Sequence, residues 1–459
     1  MLDADAAYIH EPSLIGPRSR RGRMALLVLV AAATVAAIAA AVSASPATVP
    51  GKPPPRIAFV DPAGAIAVLD VATGTRTTYS SPDSTFQFPA WSPDGTRIAA
   101  IGTSSTGSSV AVFTASGAAP GPGTVAYLSK DAPPFYLYWS PDGRSITFLT
   151  SQGSDISLRT VPPDATRPAA VLSTGAPMYW AWEAPTLLHV HSSGGGPSGY
   201  FGKVPTDAAT VGGPLLDRTV EDPGDFRAPA VSADGRYIGF QVKKADGTSA
   251  VVASLADGSA PREAKVLGPA AVSFSPTSHE LAFIAAATFQ DVQPIPLGPV
   301  RILDAATGET RTVAGGEAVA CFWSPDGRTL AVLLVAPPTG PSVQVPGGTL
   351  AEARAPGLAA ASVTPAADRP GFELRLAFVD VAASTERSST TVRVTSAFVD
   401  QVLPYFDQYA LSHRAWAPDG SSLLLPLVGD DDRDAIGLVP VDGTAPKLVA
   451  PGSAGTWSP

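Results

Sequence analysis

The chain has 459 residues, a formal net charge of −9 and 15% charged residues against 45% apolar ones. The acidic balance excludes the basic footprint of a nucleic-acid binder, and the apolar content excludes a disordered chain. One cysteine, Cys321, excludes an internal disulfide framework and a cysteine-based zinc site, while 43 glycines and 47 prolines argue for short strands and many turns.

Residues 1–23 are polar and close on Arg18, Arg20, Arg21 and Arg23. An uncharged run follows, Met24 to Val42, whose helical length of roughly 28 Å matches a hydrocarbon core. The arginines before it predict a cytoplasmic tail, a transmembrane helix over 24–43 and an extracytoplasmic remainder. The competing reading is a cleaved signal peptide, since Val42-Ser43-Ala44 fits a small-x-small cleavage site and would leave the remainder secreted. A Pro-rich, extended linker covers 44–55.

From residue 56 onward the chain repeats. Trp91-Ser92-Pro93-Asp94-Gly95 returns as Trp139-Ser140-Pro141-Asp142-Gly143 and as Trp323-Ser324-Pro325-Asp326-Gly327, and Trp416-Ala417-Pro418-Asp419-Gly420 differs at one position. Weaker copies begin at Trp182, Val231 and Phe274, and the chain ends on Trp457-Ser458-Pro459. All spacings but one fall between 41 and 49 residues, near the length of a four-stranded propeller blade. Ser, Pro, Asp and Gly in this order suit a type I turn followed by a left-handed glycine, hence a hairpin joining strand A to strand B. The repeated Asp therefore reads as a turn residue bonding its own backbone, with no catalytic role.

These residues resemble the TolB-like β-propeller family, whose repeats carry the same aromatic-Ser-Pro-Asp-Gly signature. The resemblance covers roughly 56–459 and implies an all-β propeller that acts in the cell envelope through protein contacts. The markers predict eight four-stranded blades, with seven as the alternative. The chain enters with strands B, C and D at Arg56 to Ser80 and leaves with strand A alone, so the two ends should complete one blade and close the ring.

The irregular units suggest where binding occurs. Insertions are expected at 336–373 (B to C), at 396–412 (D to the next A), at Ala285 to Leu297, and at the acidic turn Asp430-Asp431-Asp432-Arg433-Asp434. Strand parity places all four on the face opposite the Ser-Pro-Asp-Gly turns, and this decorated face is the candidate partner site. Phe398, Tyr405, Phe406 and Tyr409 either pin the second insertion or form an exposed contact patch. Asp430, Asp431, Asp432 and Asp434 read as a solvated turn, with calcium binding a weak second reading. His189 and His191 share one strand face and read as surface histidines, half a metal site at most. Cys321 reads as a small buried apolar residue.

The chain has no Gly-x-Ser-x-Gly elbow, no His-Glu-x-x-His, no phosphate-binding Gly-rich loop and no Rossmann fingerprint. The expectation is a monomeric, membrane-anchored, non-enzymatic propeller that binds a protein or envelope component and needs no cofactor. A carbohydrate- or small-molecule-active enzyme using the central channel is the alternative.

Overall fold

The computed structural model describes residues 54–459, apart from 82, 116–119, 154, 176, 193–199, 207–216, 221–223, 293–294 and 336–370. The tail, transmembrane and linker assignments at 1–53 and most of the 336–373 insertion thus lie outside the described residues. Among the described residues no helix is long and apolar enough to cross a membrane.

Antiparallel strand makes up 58% of the described residues and helix 6%. The pairing divides it into eight consecutive units, each made of strands A to D in order. Strands Ser84–Trp91, Arg97–Ser104, Gly107–Thr114 and Thr124–Ser129 form the second unit. Two long strands each serve neighbouring units: Arg262–Phe274 is D of the fifth and A of the sixth, and Thr310–Trp323 links the sixth to the seventh in the same way. In the eighth unit strand A shrinks to a single bridge, Trp416 to Leu423.

The first unit joins the two ends of the described chain. Strand Gly455–Trp457 pairs antiparallel with Arg56–Val60, aligning Ile57 with Trp457 and Ala58 with Thr456. Ser458 adds a second tie, because its hydroxyl accepts from the Arg56 amide and its own amide donates to the Arg56 carbonyl.

The core consists of seams between units. Ala58, Val60 and Ile66 of the first unit pack on Phe86, Ile98 and Phe113 of the second. Equivalent seams follow around the chain, until Leu424 and Ile436 of the eighth unit pack on Ile57, Phe59 and Trp457 of the first. The seams thus form a closed cycle. Because each sheet is sandwiched between two others, strand B is buried on both faces, as in Ile98-Ala99-Ala100, and its sequence is a continuous apolar run.

The repeated motif performs two jobs. Its turn closes as Gly95 N–H donates to the Ser92 carbonyl (2.9 Å), while the Ser92 hydroxyl accepts from the Arg97 amide (2.9 Å) and donates to Asp94 Oδ1 (2.6 Å). Gly95 sits at φ +68°, where a side chain is strained, and Gly143, Gly327 and Gly420 lie within a few degrees of it. Bonds from Ser324 and Ser421 hold the Asp326 and Asp419 carboxyls below their usual range, so they remain ionised turn anchors. The tryptophan does the second job, which the turn chemistry does not reveal. Trp139 Nε1 donates to the Ala90 carbonyl of the preceding unit at 3.0 Å, and Trp91, Trp323 and Trp416 reach Thr456, Ser273 and Phe322 in the same manner. Each is a latch from one innermost strand to the next.

Candidate functional site: a helical insert across the inner strands

The connection between strand Thr385–Val394 and Trp416 is coiled rather than an open loop. It runs through a π turn at Phe398–Val402, a 3-10 turn at Leu403–Tyr405 and an α-helix at Phe406–Ser412. Its side chains meet the innermost strands of units all round the cycle. Tyr409 packs on Phe88 of the second unit, and the Tyr136 hydroxyl of the third lies within hydrogen-bond reach of the Gln408 carbonyl at 2.9 Å and of Ser412 Oγ at 2.6 Å. In the fourth unit the Gln408 amide accepts from the Trp180 N–H and donates to the Trp180 carbonyl, both at 2.9 Å. Ala228, leading into the fifth unit, donates to Asp407 Oδ2 at 3.2 Å, and Phe406 packs on Phe322 of the seventh. Only a segment lying inside the ring can touch the second, third, fourth, fifth and seventh units together. The insert is a plug.

Its polar residues follow from this position. Peptide groups on the inner edge of a strand A have no further strand in their own sheet to pair with, and they are costly if left dry. Gln408 presents a side-chain amide, the same donor and acceptor pair as a peptide, and so continues the ladder for Trp180. Asp407 does likewise for the Ala228 amide. Tyr136 and Trp180 lie near the N-terminal ends of their strands, so the plug sits at the mouth far from the Ser-Pro-Asp-Gly turns.

Burial inside the plug shifts its titrating groups. Asp407 is 3% exposed, and burial, opposed by nearby Arg227, pushes its carboxyl up to about 6. Burial also pushes the Cys321 thiol up to about 12, with the Asp407 charge adding to it, and brings His413 down to about 4. Arg227 donates to the Pro404 carbonyl and lies over the Tyr405 ring at 5.2 Å, clasping the outer end of the plug.

Several expectations change. Phe398, Phe406 and Tyr409 are 9% exposed or less and pin the insert from within, and only Tyr405 reaches solvent. An aromatic stretch outside the strands is buried here because the ring opening receives it. His189 and His191 are fully buried rather than on the surface, since strand B is covered on both faces. His191 stacks on Phe226 at 3.9 Å, and burial lowers it to about 4. His189 Nε2 lies 2.7 Å from Glu183, which also pairs with Lys203. Cys321 is buried. The insertion ahead of Glu373 ends earlier than its pattern suggests, because strand Phe372–Asp380 already pairs Phe372 with Val394. Ala285 and Ala286 likewise belong to strand Glu280–Ala286, and a 3-10 turn covers Phe289–Asp291.

The acidic turn is a tight hairpin. Gly429 and Arg433 close it, Asp432 takes φ +58° and pairs with Arg393 at 2.7 Å, Asp431 faces Arg433, and Asp434 already starts strand Asp434–Pro440. Asp430 is exposed at its tip. Among the described residues no three of His, Cys, Asp or Glu gather to hold a metal ion. Sequence reasoning missed Asp407, Gln408 and Arg227. The available signal was the pair Asp407-Gln408 between aromatics, a polar step in a stretch otherwise suited to burial.

No protein-family profile and no curated protein matches the chain. Solved structures do match. A dihydro-heme d1 dehydrogenase, NirN, is 12% identical with a TM-score of 0.51, over 87% of this chain and 74% of that one. Apo AztD from Citrobacter koseri is 12% identical with a TM-score of 0.50, over 88% and 96%. TolB from Acinetobacter baumannii is 13% identical with a TM-score of 0.35, over 72% and 62%. At such identities the likeness concerns the fold alone, which is nearly all-β and propeller-like.

Proposed function

We propose that the chain is a non-enzymatic, TolB-like propeller of eight blades, held to a membrane by its N-terminal segment, that binds a protein of the cell envelope through its decorated face. The observation that carries this reading is the plug. A channel enzyme needs an open, polar pocket at the channel mouth. Here one mouth is filled by the chain's own Phe406, Gln408 and Tyr409. Binding is left to the surrounding rim, whose B-to-C connections carry exposed apolar side chains. Phe289 is 80% exposed, with Val292 and Ile295 beside it in the chain, and the seventh unit adds Val335 and Phe372. Apolar side chains held out on a rigid scaffold suit protein recognition.

The test is Phe289→Asp combined with Val292→Asp. Both side chains are exposed, so unfolding stability should change by less than about 0.5 kcal/mol. Crosslinked capture of the envelope partner should fall at least about tenfold, the effect of losing one aromatic anchor. Undiminished capture by a folded double variant would refute the site.

A further inference from the structure

The rim around the plug carries exposed charge of mainly one sign. On the sixth, seventh and eighth units, Phe289 and Phe372 share this rim with exposed Asp291, Glu317, Glu373, Asp400, Asp430 and Asp431. All six acids lie on B-to-C or D-to-A connections or at their ends, hence on the face away from the Ser-Pro-Asp-Gly turns. Three bases border the same connections, and each already faces an acid. Arg375 pairs with Glu386 and Arg393 with Asp432, while Arg433 faces Asp431. Elsewhere on this face the signs mix, since Lys130 adjoins Asp131, and Lys243 and Lys244 adjoin Asp246.

Packing joins these connections into one surface. The Arg393–Asp432 pair, at 2.7 Å, ties the seventh unit to the eighth. Gly371, just ahead of Phe372, sits so close to the eighth unit that a Cβ on it would come within 2.6 Å of Val428. Gly316, beside Glu317 in the corner between the sixth and seventh units, would place a Cβ 3.2 Å from Leu334 at the end of the seventh unit's strand B.

Acids bordering exposed apolar side chains restrict what can cover them. A second copy of this chain would bring the same acids and a net charge of −9. An anionic membrane surface would repel them as well.

We infer that the occupant of this rim is a basic amphipathic segment of a partner protein. Its apolar side chains cover Phe289 and Phe372, and its Lys and Arg residues meet the acidic border. This inference rests on the rim reading above and adds the partner's charge to it. Charge complementarity of this kind speeds encounter and rejects acidic competitors, while the apolar contacts hold the complex. A helix with apolar residues at i, i+3, i+4 and i+7, flanked by lysines, is the simplest segment of this chemistry.

The experiment is fluorescence anisotropy of the full chain with a labelled Lys–Leu peptide of that spacing and, separately, with its Glu–Leu counterpart. Saturable binding of the Lys–Leu peptide alone is expected. It should weaken at least about tenfold between low and high salt. Replacing Asp291, Asp430 and Asp431 by Asn and Glu317 by Gln should weaken it by a similar factor. The same four-charge change made elsewhere on the face, with Asn at Asp83, Asp131, Asp225 and Asp246, should leave it within about twofold, which separates a local site from attraction by the net charge. All eight side chains are solvent-facing, so unchanged thermal midpoints are expected in both variants. Equal loss in the two variants, no saturable binding of the Lys–Leu peptide, or binding of the Glu–Leu peptide would overturn the inference. If Phe289→Asp with Val292→Asp abolishes envelope capture while the four-charge rim variant and salt leave it unchanged, the rim site stands and the basic partner falls.

Discussion

A chain ending at Ala454 is expected to lose most of its cooperative stability. The missing strand Gly455–Trp457 supplies the edge that pairs with Ile57 to Phe59, and Trp457 is 3% exposed in the seam between the eighth and first units. Its loss removes a buried tryptophan, worth about 3–5 kcal/mol. It also strips the Trp91 Nε1 latch of its acceptor at Thr456 and leaves buried peptide groups of the first strand unpaired. The combined loss approaches the whole stability of an ordinary domain, about 5–15 kcal/mol. Urea titration followed by tryptophan fluorescence should show a broad, early transition. Trp457→Ala alone should lower the unfolding free energy by about 3–5 kcal/mol. An unshifted midpoint in the truncated chain would show that the ends are not joined as described.

Asp407→Asn should raise stability at neutral pH, against the usual direction for a buried substitution. The native carboxyl titrates at about 6, against an ordinary 3.8, because burial disfavours its charge more than Arg227 favours it. A raised carboxyl binds more protons in the native state than in the unfolded chain. Its protonated form therefore favours folding, most strongly below pH 3.8, and this contribution is lost as pH rises through about 6. Above that pH the ionised group costs on the order of 2–3 kcal/mol, which the isosteric amide avoids while keeping an acceptor for the Ala228 amide. Urea midpoints at pH 4, 5, 6 and 7.5 should decline across the window for the parent chain, and this component should vanish in the variant. A variant less stable at pH 7.5 would mean that the Arg227 attraction outweighs burial.

How far residues alone disclosed this molecule depends on whether their partners are local. The Ser-Pro-Asp-Gly turns and the division into units were legible because each turn is built within six residues, from Ser92 to Arg97. The joined ends were legible from counting strands. The tryptophan latch was not, since its acceptor lies about one repeat away and is a peptide carbonyl that any residue supplies. Nor was the fate of 396–412: Phe398, Phe406 and Tyr409 read the same on an exposed patch as inside a ring opening, and what lies around the insert comes from five other units. His189 and His191 were misplaced because the two-residue period, which marks a solvent face in an ordinary antiparallel sheet, carries no such meaning in a strand covered on both sides.

Hydrogen exchange of the Phe406–Ser412 amides tests the plug most directly. A helix this short does not persist in water by itself. If it is seated among Tyr136, Trp180 and Phe322 as described, its amides should exchange as slowly as those of the inner strand Pro134–Trp139, with half-lives of hours. Exchange within seconds, while that strand stays protected, would show that the channel mouth is open and would remove the ground for assigning recognition to the rim.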